Sequence, residues 1–282
     1  MIRYTSIRLF TALTLSSVLM SCGFLNQQED DNMLTMLALA ATPATLPVSL
    51  VSNDATISCN QTFTLGANSS VQIRDFRLYL SEFAWVTPEG EVSATVPDVT
   101  GWQKDGVVLI DLEDGTGHCS TSGTSDTNAQ IIISQPPANA TGLSFSVGLP
   151  VTQNKLDNAT SDAPFNIASM YWSWTSGYKF TKLEFTDGSD VINFHLGSTA
   201  CTATVNCTNE MKGRVTVSGV SVASGIQFDL SDWFSGQTYA ATTCMGNTVG
   251  DATLCGVMRN RMGLNQSNGT ANQSNAQGFE AR

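Results

Sequence analysis

Val71-Gln-Ile-Arg-Asp-Phe-Arg-Leu-Tyr-Leu80 is the stretch that decides the fold. Val71 and Ile73 alternate with polar neighbours, and Phe76, Leu78 and Leu80 then alternate in the opposite phase. A period of two belongs to a strand with one face on a core. A slip at Arg74-Asp75 predicts a β-bulge or a strand that changes sheets, since one extra residue exchanges the two faces. The same alternation spreads outward. VVLIDL (107–112), QIIIS (130–134) and LSFSVGL (143–149) follow, then VINFHL (191–196), GRVTVSGVSV (213–222) and GIQFDL (225–230), with turn residues in the gaps. Helical spacing is confined to short pieces, 163–169 and 257–264. The pattern predicts an all-β chain: a single antiparallel β-sandwich or barrel-like domain with long loops, over residues 48–264. Residues 265–282, NQSNGTANQSNAQGFEAR, are poor in apolar side chains and are expected to be a disordered tail.

The composition narrows the class. Of 282 residues, 41% are hydrophobic and only 13% charged, enough for a core and little for a highly charged surface. Acids outnumber bases 24 to 13, and the net charge of −11 argues against nucleic acid as a partner. Residues 1–21 carry Arg3 and Arg8 and then an apolar run that ends Leu19-Met20-Ser21 before Cys22. This is the layout of a lipoprotein signal peptide, with Cys22 as the lipidated residue and 22–47 as a tether. The expected location is a bacterial cell envelope, anchored to the membrane by lipid and facing the periplasm or the cell surface.

Apart from Cys22, six cysteines remain: Cys59, Cys119, Cys201, Cys207, Cys244 and Cys255. In an exported chain an even set implies disulfides. Short separations favour Cys201–Cys207 and Cys244–Cys255, which leaves Cys59–Cys119. No CxxC pair supports a zinc site.

Chemistry-bearing residues crowd into 148–201, which holds Trp172, Trp174 and one of the chain's two histidines, His195. In VINFHL, Ile192, Phe194 and Leu196 share one face, so His195 is expected on the other, away from the main core. The second histidine, His118, lies in the loop GTGHCSTSG beside Cys119. Met170, Trp172 and Trp174 fall on one face of a strand, a stripe that packs a core in most proteins and could otherwise stack sugars or frame a soft metal. Met245, Met258 and Met262 gather near Cys244 and Cys255, with core packing as the simpler reading. Asp75, Glu82 and Asp111 are single acids on strands, expected to be solvated. There is no G-x-S-x-G, phosphate loop or dinucleotide fingerprint, and the chain is not expected to be an enzyme.

Taken in order, RDFRLYLSEF (74–83), GLPVTQNKLDNA (148–159), SMYWSWTSGYKF (169–180), FHLGSTAC (194–201) and CMG…C with MRNRMGL (258–264) resemble the MbnP-like family, the metallo-mystery pair four-Cys motif proteins. The resemblance implies an exported copper-binding β-protein encoded beside a MauG-like dihaem cytochrome peroxidase. That partner oxidises a tryptophan to kynurenine, and the product helps to bind copper together with histidine. Trp172 and Trp174 match the family's W-x-W, and His195 matches the histidine of HLGST. Where the family commonly has Asn-His-x-x-Asp, this chain has Asn154-Lys155-Leu156-Asp157, so the resemblance implies either that His118 or a methionine such as Met170 replaces that histidine as a ligand or that copper is bound weakly. The alternative function is a non-enzymatic surface lipoprotein that binds glycan or protein through exposed aromatics.

Overall fold

The computed structural model describes residues 42–282 except 122, 174, 246–252 and 266. The signal peptide, Cys22 and most of the tether therefore lie outside the described residues. From Pro43 to Arg282 the chain forms one compact unit.

In chain order the strands are β1 (Ala44–Ser52), β2 (Ala55–Thr56), β3 (Phe63–Leu65), β4 (Asn68–Thr87), β5 (Gly90–Ser93), β6 (Gln103–Lys104) and β7 (Val107–Asp111). Next come β8 (Gln130–Ile133), β9 (Gly142–Val147), β10 (Tyr171–Ser173), β11 (Gly177–Tyr178), β12 (Thr181–Thr186) and β13 (Val191–Leu196). The last are β14 (Thr199–Thr202), β15 (Asn206–Asn209), β16 (Gly213–Ser218), β17 (Ile226–Asp229), β18 (Thr242–Met245) and β19 (Phe279–Ala281). The main sheet runs β16-β9-β4-β12-β13-β18, with β3, β5 and β7 also on β4 and β6 on β7. The second sheet runs β19-β17-β1-β2, with β8 on β1. The all-β sandwich expected from the alternation is the fold.

β4 is the hub. Arg77 and Leu78 pair with β7 on one side and β12 on the other. The expected slip is a bulge. Glu184 of β12 faces Asp75 and Phe185 faces Ile73, so Arg74 has no partner there and the faces exchange. Aromatic rings fill the space between the sheets. Phe228 meets Phe76 at 5.7 Å and Phe279 at 4.6 Å, and Trp233 meets Phe194 at 5.1 Å. All three expected disulfides are present: Cys59–Cys119, Cys201–Cys207 and Cys244–Cys255.

Three expectations need correction. The sheets are not wholly antiparallel, since β1 pairs with β17 and β13 with β18 in parallel, each reached by a long connection. The domain starts at Ala44 rather than Val48, because Ala44, Thr45, Leu46 and Pro47 pair with β8 and Leu46 is wholly buried. The tail is folded. β19 pairs with β17, Phe279 packs on Phe228 and Phe145, and Asn275 donates its amide to Asn260 and to the carbonyl of Leu264. One aromatic ring at the right register offsets a polar composition that would otherwise leave the segment unpacked.

Candidate metal centre on the outer sheet face

Facing residues on neighbouring strands project from the same side of a sheet. Through the main sheet the register links Asp111 to Arg77, Arg77 to Lys182, Lys182 to His195 and His195 to Met245. A second row links Asp75, Glu184, Asn193 and Thr243. Phe76, Leu78, Leu183, Phe194 and Leu196 take the opposite face and enter the core. His195 is thus on the face that its alternation indicates, away from the main core. That face is nevertheless covered, and His195 is only 6% exposed.

The covered face holds ions that neutralise one another. Arg77 donates Nε–H to Asp75 at 2.9 Å and lies 3.2 Å from Glu113. Lys182 contacts Asp75 and lies 3.3 Å from Glu184. Glu184 Oε1 is 2.8 Å from His195 Nε2. Asp75 and Asp111 are buried, contrary to the expectation that they are solvated: Asp75 meets Arg77 of its own strand and Lys182 of β12, and Asp111 lies opposite Arg77 across the ladder. Glu82 is exposed and pairs with Lys212 at 2.6 Å. Burial is the main cause that lifts the carboxyl of Asp111 to about 7, against the pull of Arg77. Burial also lifts Glu113 to about 8, with the charge of Asp75 adding to it. Glu184 goes the other way. Burial alone would raise it, but the hydrogen bond from His195 and the charge of Lys182 outweigh that and draw it down to about 2.

An ionised carboxylate only accepts hydrogen bonds, so the Nε2 of His195 carries the proton toward Glu184. In the neutral ring the lone pair then sits on Nδ1. That atom is buried and has no hydrogen-bond partner. A carboxylate that holds one imidazole nitrogen while the other is free is the arrangement that orients metal-ligating histidines.

Beyond His195, position 197 has room only for glycine. A Cβ there would lie 2.4 Å from the Trp172 ring and 2.7 Å from the Tyr178 carbonyl. Trp172 therefore packs the edge of its ring against Gly197. It lines a cavity of about 450 Å³ with Ser176, Ser198, Thr199, Ala200, Cys201 and Met245. Met245, the strand partner of His195, is 52% exposed and brings a thioether to this wall. Met258 and Met262 pack in the core.

The other residues named from the sequence scatter. Met170 ends a 3-10 turn, Ala168–Met170, and is wholly buried in the core instead of continuing a stripe with Trp172. His118 is exposed on the 3-10 turn Gly117–Thr121, and Cys119 in the same turn is buried and disulfide-bonded to Cys59. Trp174 lies outside the described residues. Lys155 is exposed, whereas Asn154 is buried and structural: its Oδ1 accepts from the Tyr178 amide at 2.8 Å and its Nδ2 donates to Ser198 at 3.1 Å. Glu184 escaped the sequence reading, although TKLEFT alternates and places Lys182 and Glu184 on one face. Among the described residues no group of three or more His, Cys, Asp or Glu is placed to hold a metal.

Comparisons with known proteins agree with this architecture. No curated protein matches the chain. Among solved structures it is similar to MbnP from Methylosinus trichosporium, with a TM-score of 0.70 and 20% identity over 85% of this chain and 98% of that one. At that identity the likeness concerns the fold. The sequence model of the MbnP family matches residues 41–249, which include β4, the Trp172 segment, His195 and Met245, and the chain belongs to the MbnP family.

Proposed function

We propose that this chain is an exported, non-enzymatic copper-binding lipoprotein, anchored through Cys22, in which a partner dihaem peroxidase of the MauG type converts Trp172 to kynurenine to complete the metal site. The observation that carries the reading is the Nδ1 of His195, buried and without a partner among the described residues, on a ring held by Glu184 whose strand neighbour Met245 lines a cavity together with the Trp172 indole. Imidazole nitrogen and thioether sulfur suit copper, Cu(I) in particular. An intact indole is a poor ligand, and its oxidation product adds an aryl amine and a ketone. Copper would be held by His195 and Met245 with the modified Trp172. Glu184 orients His195 and keeps its proton on Nε2. Gly197 leaves room for the Trp172 ring beside it, and the hydrogen bond from His195 and the charge of Lys182 keep Glu184 ionised.

The stacking-platform alternative has less to stand on. Among the described residues the large apolar side chains with wide exposure are Val92, Val151 and Met245, none of them aromatic.

Intact mass of protein isolated from its native host tests the reading. Exchange of one carbon for one oxygen adds about 4 Da, and peptide mapping should place the gain at Trp172. Copper should be retained after dialysis by the parent and lost from His195→Ala. An unmodified mass together with no retained copper would overturn the proposal. Cys22→Ser should move the protein out of the membrane fraction, and unchanged fractionation would remove the anchor.

A further inference from the structure

We propose that Cys201–Cys207 is a thiol–disulfide exchange site, open to small-molecule thiols from the Trp172–Met245 cavity while the protein stays folded. The three disulfides differ in access. Cys59 and Cys119 are 0% exposed, Cys244 2% and Cys255 8%, whereas Cys201 and Cys207 are both half-exposed. Cys201 lines the cavity wall beside Trp172 and Met245. Exchange requires a thiolate to reach a sulfur, so access orders the three bonds.

Their structural burdens differ as well. Cys201 and Cys207 face each other in a ribbon, β14–β15, that pairs with neither main sheet. Opening that bond leaves the sandwich ladders untouched. It closes a separation of 6 residues, against 60 for Cys59–Cys119 and 11 for Cys244–Cys255. On the chain-entropy model the shortest loop contributes least to stability. The longest ties the loop Ser58–Gln61 to the turn after β7, and the third ties edge strand β18 to the helix Leu254–Arg261.

The chemistry balances with a thiol as the reductant. A thiolate attacks one sulfur, forms a mixed disulfide with that cysteine and releases the other cysteine as a thiolate. A second thiol attacks the mixed disulfide and leaves as its own disulfide, freeing the first cysteine. Two thiols supply two electrons, and the two cysteine thiolates take up protons according to pH. The product places Cys201 as a sulfur donor on a wall that already carries Met245. This step involves neither copper nor an oxidised tryptophan and holds or fails independently of both.

Graded dithiothreitol on the folded protein, followed by alkylation and peptide mass mapping, tests the site. Cys201 and Cys207 should be alkylated roughly tenfold or more ahead of the other four cysteines, with an unchanged far-ultraviolet circular dichroism spectrum. Simultaneous opening of all three bonds, earlier opening of either other pair, or loss of the spectrum as the first bond opens would overturn the proposal. Cys201→Ser/Cys207→Ser should fold and lack the fast phase. A variant that fails to fold, or that retains the fast phase, would also overturn it.

Discussion

His195 and Glu184 meet diagonally across β13 and β12, Nε2 to Oε1 at 2.8 Å, and the imidazole is left with a buried Nδ1 that none of the described residues engages. A buried polar atom without a partner costs on the order of 1–3 kcal/mol. That cost is relieved when Nδ1 acquires a ligand.

Glu184→Gln should weaken copper binding about 10–100-fold by loosening the orientation of His195, in line with the loss of outer-shell carboxylates elsewhere. The fold should persist, because the amide oxygen still accepts from Nε2. Competition against a chromophoric Cu(I) chelator measures the change, and an unaltered affinity would show that Glu184 does not position the ligand.

Gly197→Ala should displace the Trp172 ring, since the new methyl would start 2.4 Å from it. Overpacking of this kind costs about 1–3 kcal/mol. Tryptophan fluorescence and urea unfolding report the two effects. A variant with the parent's emission maximum and midpoint would mean that the ring does not lie against Gly197.

Stability should fall as pH rises from about 4 to about 8. Asp111 and Glu113 have ordinary values of 3.8 and 4.5 and are lifted in the fold to about 7 and about 8. A raised carboxyl pKa means that the folded state holds its proton more tightly than the unfolded state. The resulting stabilisation is complete below the ordinary value and is lost as pH climbs through the raised one. Glu184, lowered from 4.5 to about 2, acts in the opposite sense: its contribution is present above 4.5 and is lost as pH falls toward 2. Glu113→Gln keeps an oxygen for Arg77 but cannot ionise. Its melting temperature should decline less between pH 6 and 9 than the parent's, and parallel curves would remove Glu113 as a source of the slope.

Phe279→Ala should destabilise the protein by about 2–3 kcal/mol, below the full cost of a wholly buried phenylalanine because the ring is only partly covered. Denaturant unfolding measures the loss. A midpoint equal to the parent's would show that the tail adds nothing to the sandwich.

Much of the fold is legible in local pattern. Alternation in 71–80 marks both the strand and the place where its phase slips, and Arg74 is the unpaired residue of the bulge. Period-two spacing also puts His195 opposite Phe194, and cysteine spacing pairs the thiols correctly. These features depend on neighbours a few residues away, or on loop lengths that can be counted along the chain. The burial of the histidine's face does not. Asp75 and Arg77 on β4, and Lys182 and Glu184 on β12, read as solvated pairs in either strand, and they join into one buried network only when β4 and β12 lie side by side and Lys182 reaches Asp75. Met245 likewise enters the site through a parallel pairing that joins residues fifty positions apart, and Phe279 secures a polar tail by reaching Phe228 across the second sheet. Alternation, slip and cross-linking are written in the local order of residues, whereas which of them are buried together depends on neighbouring strands, because a side chain loses its water only when another element covers it.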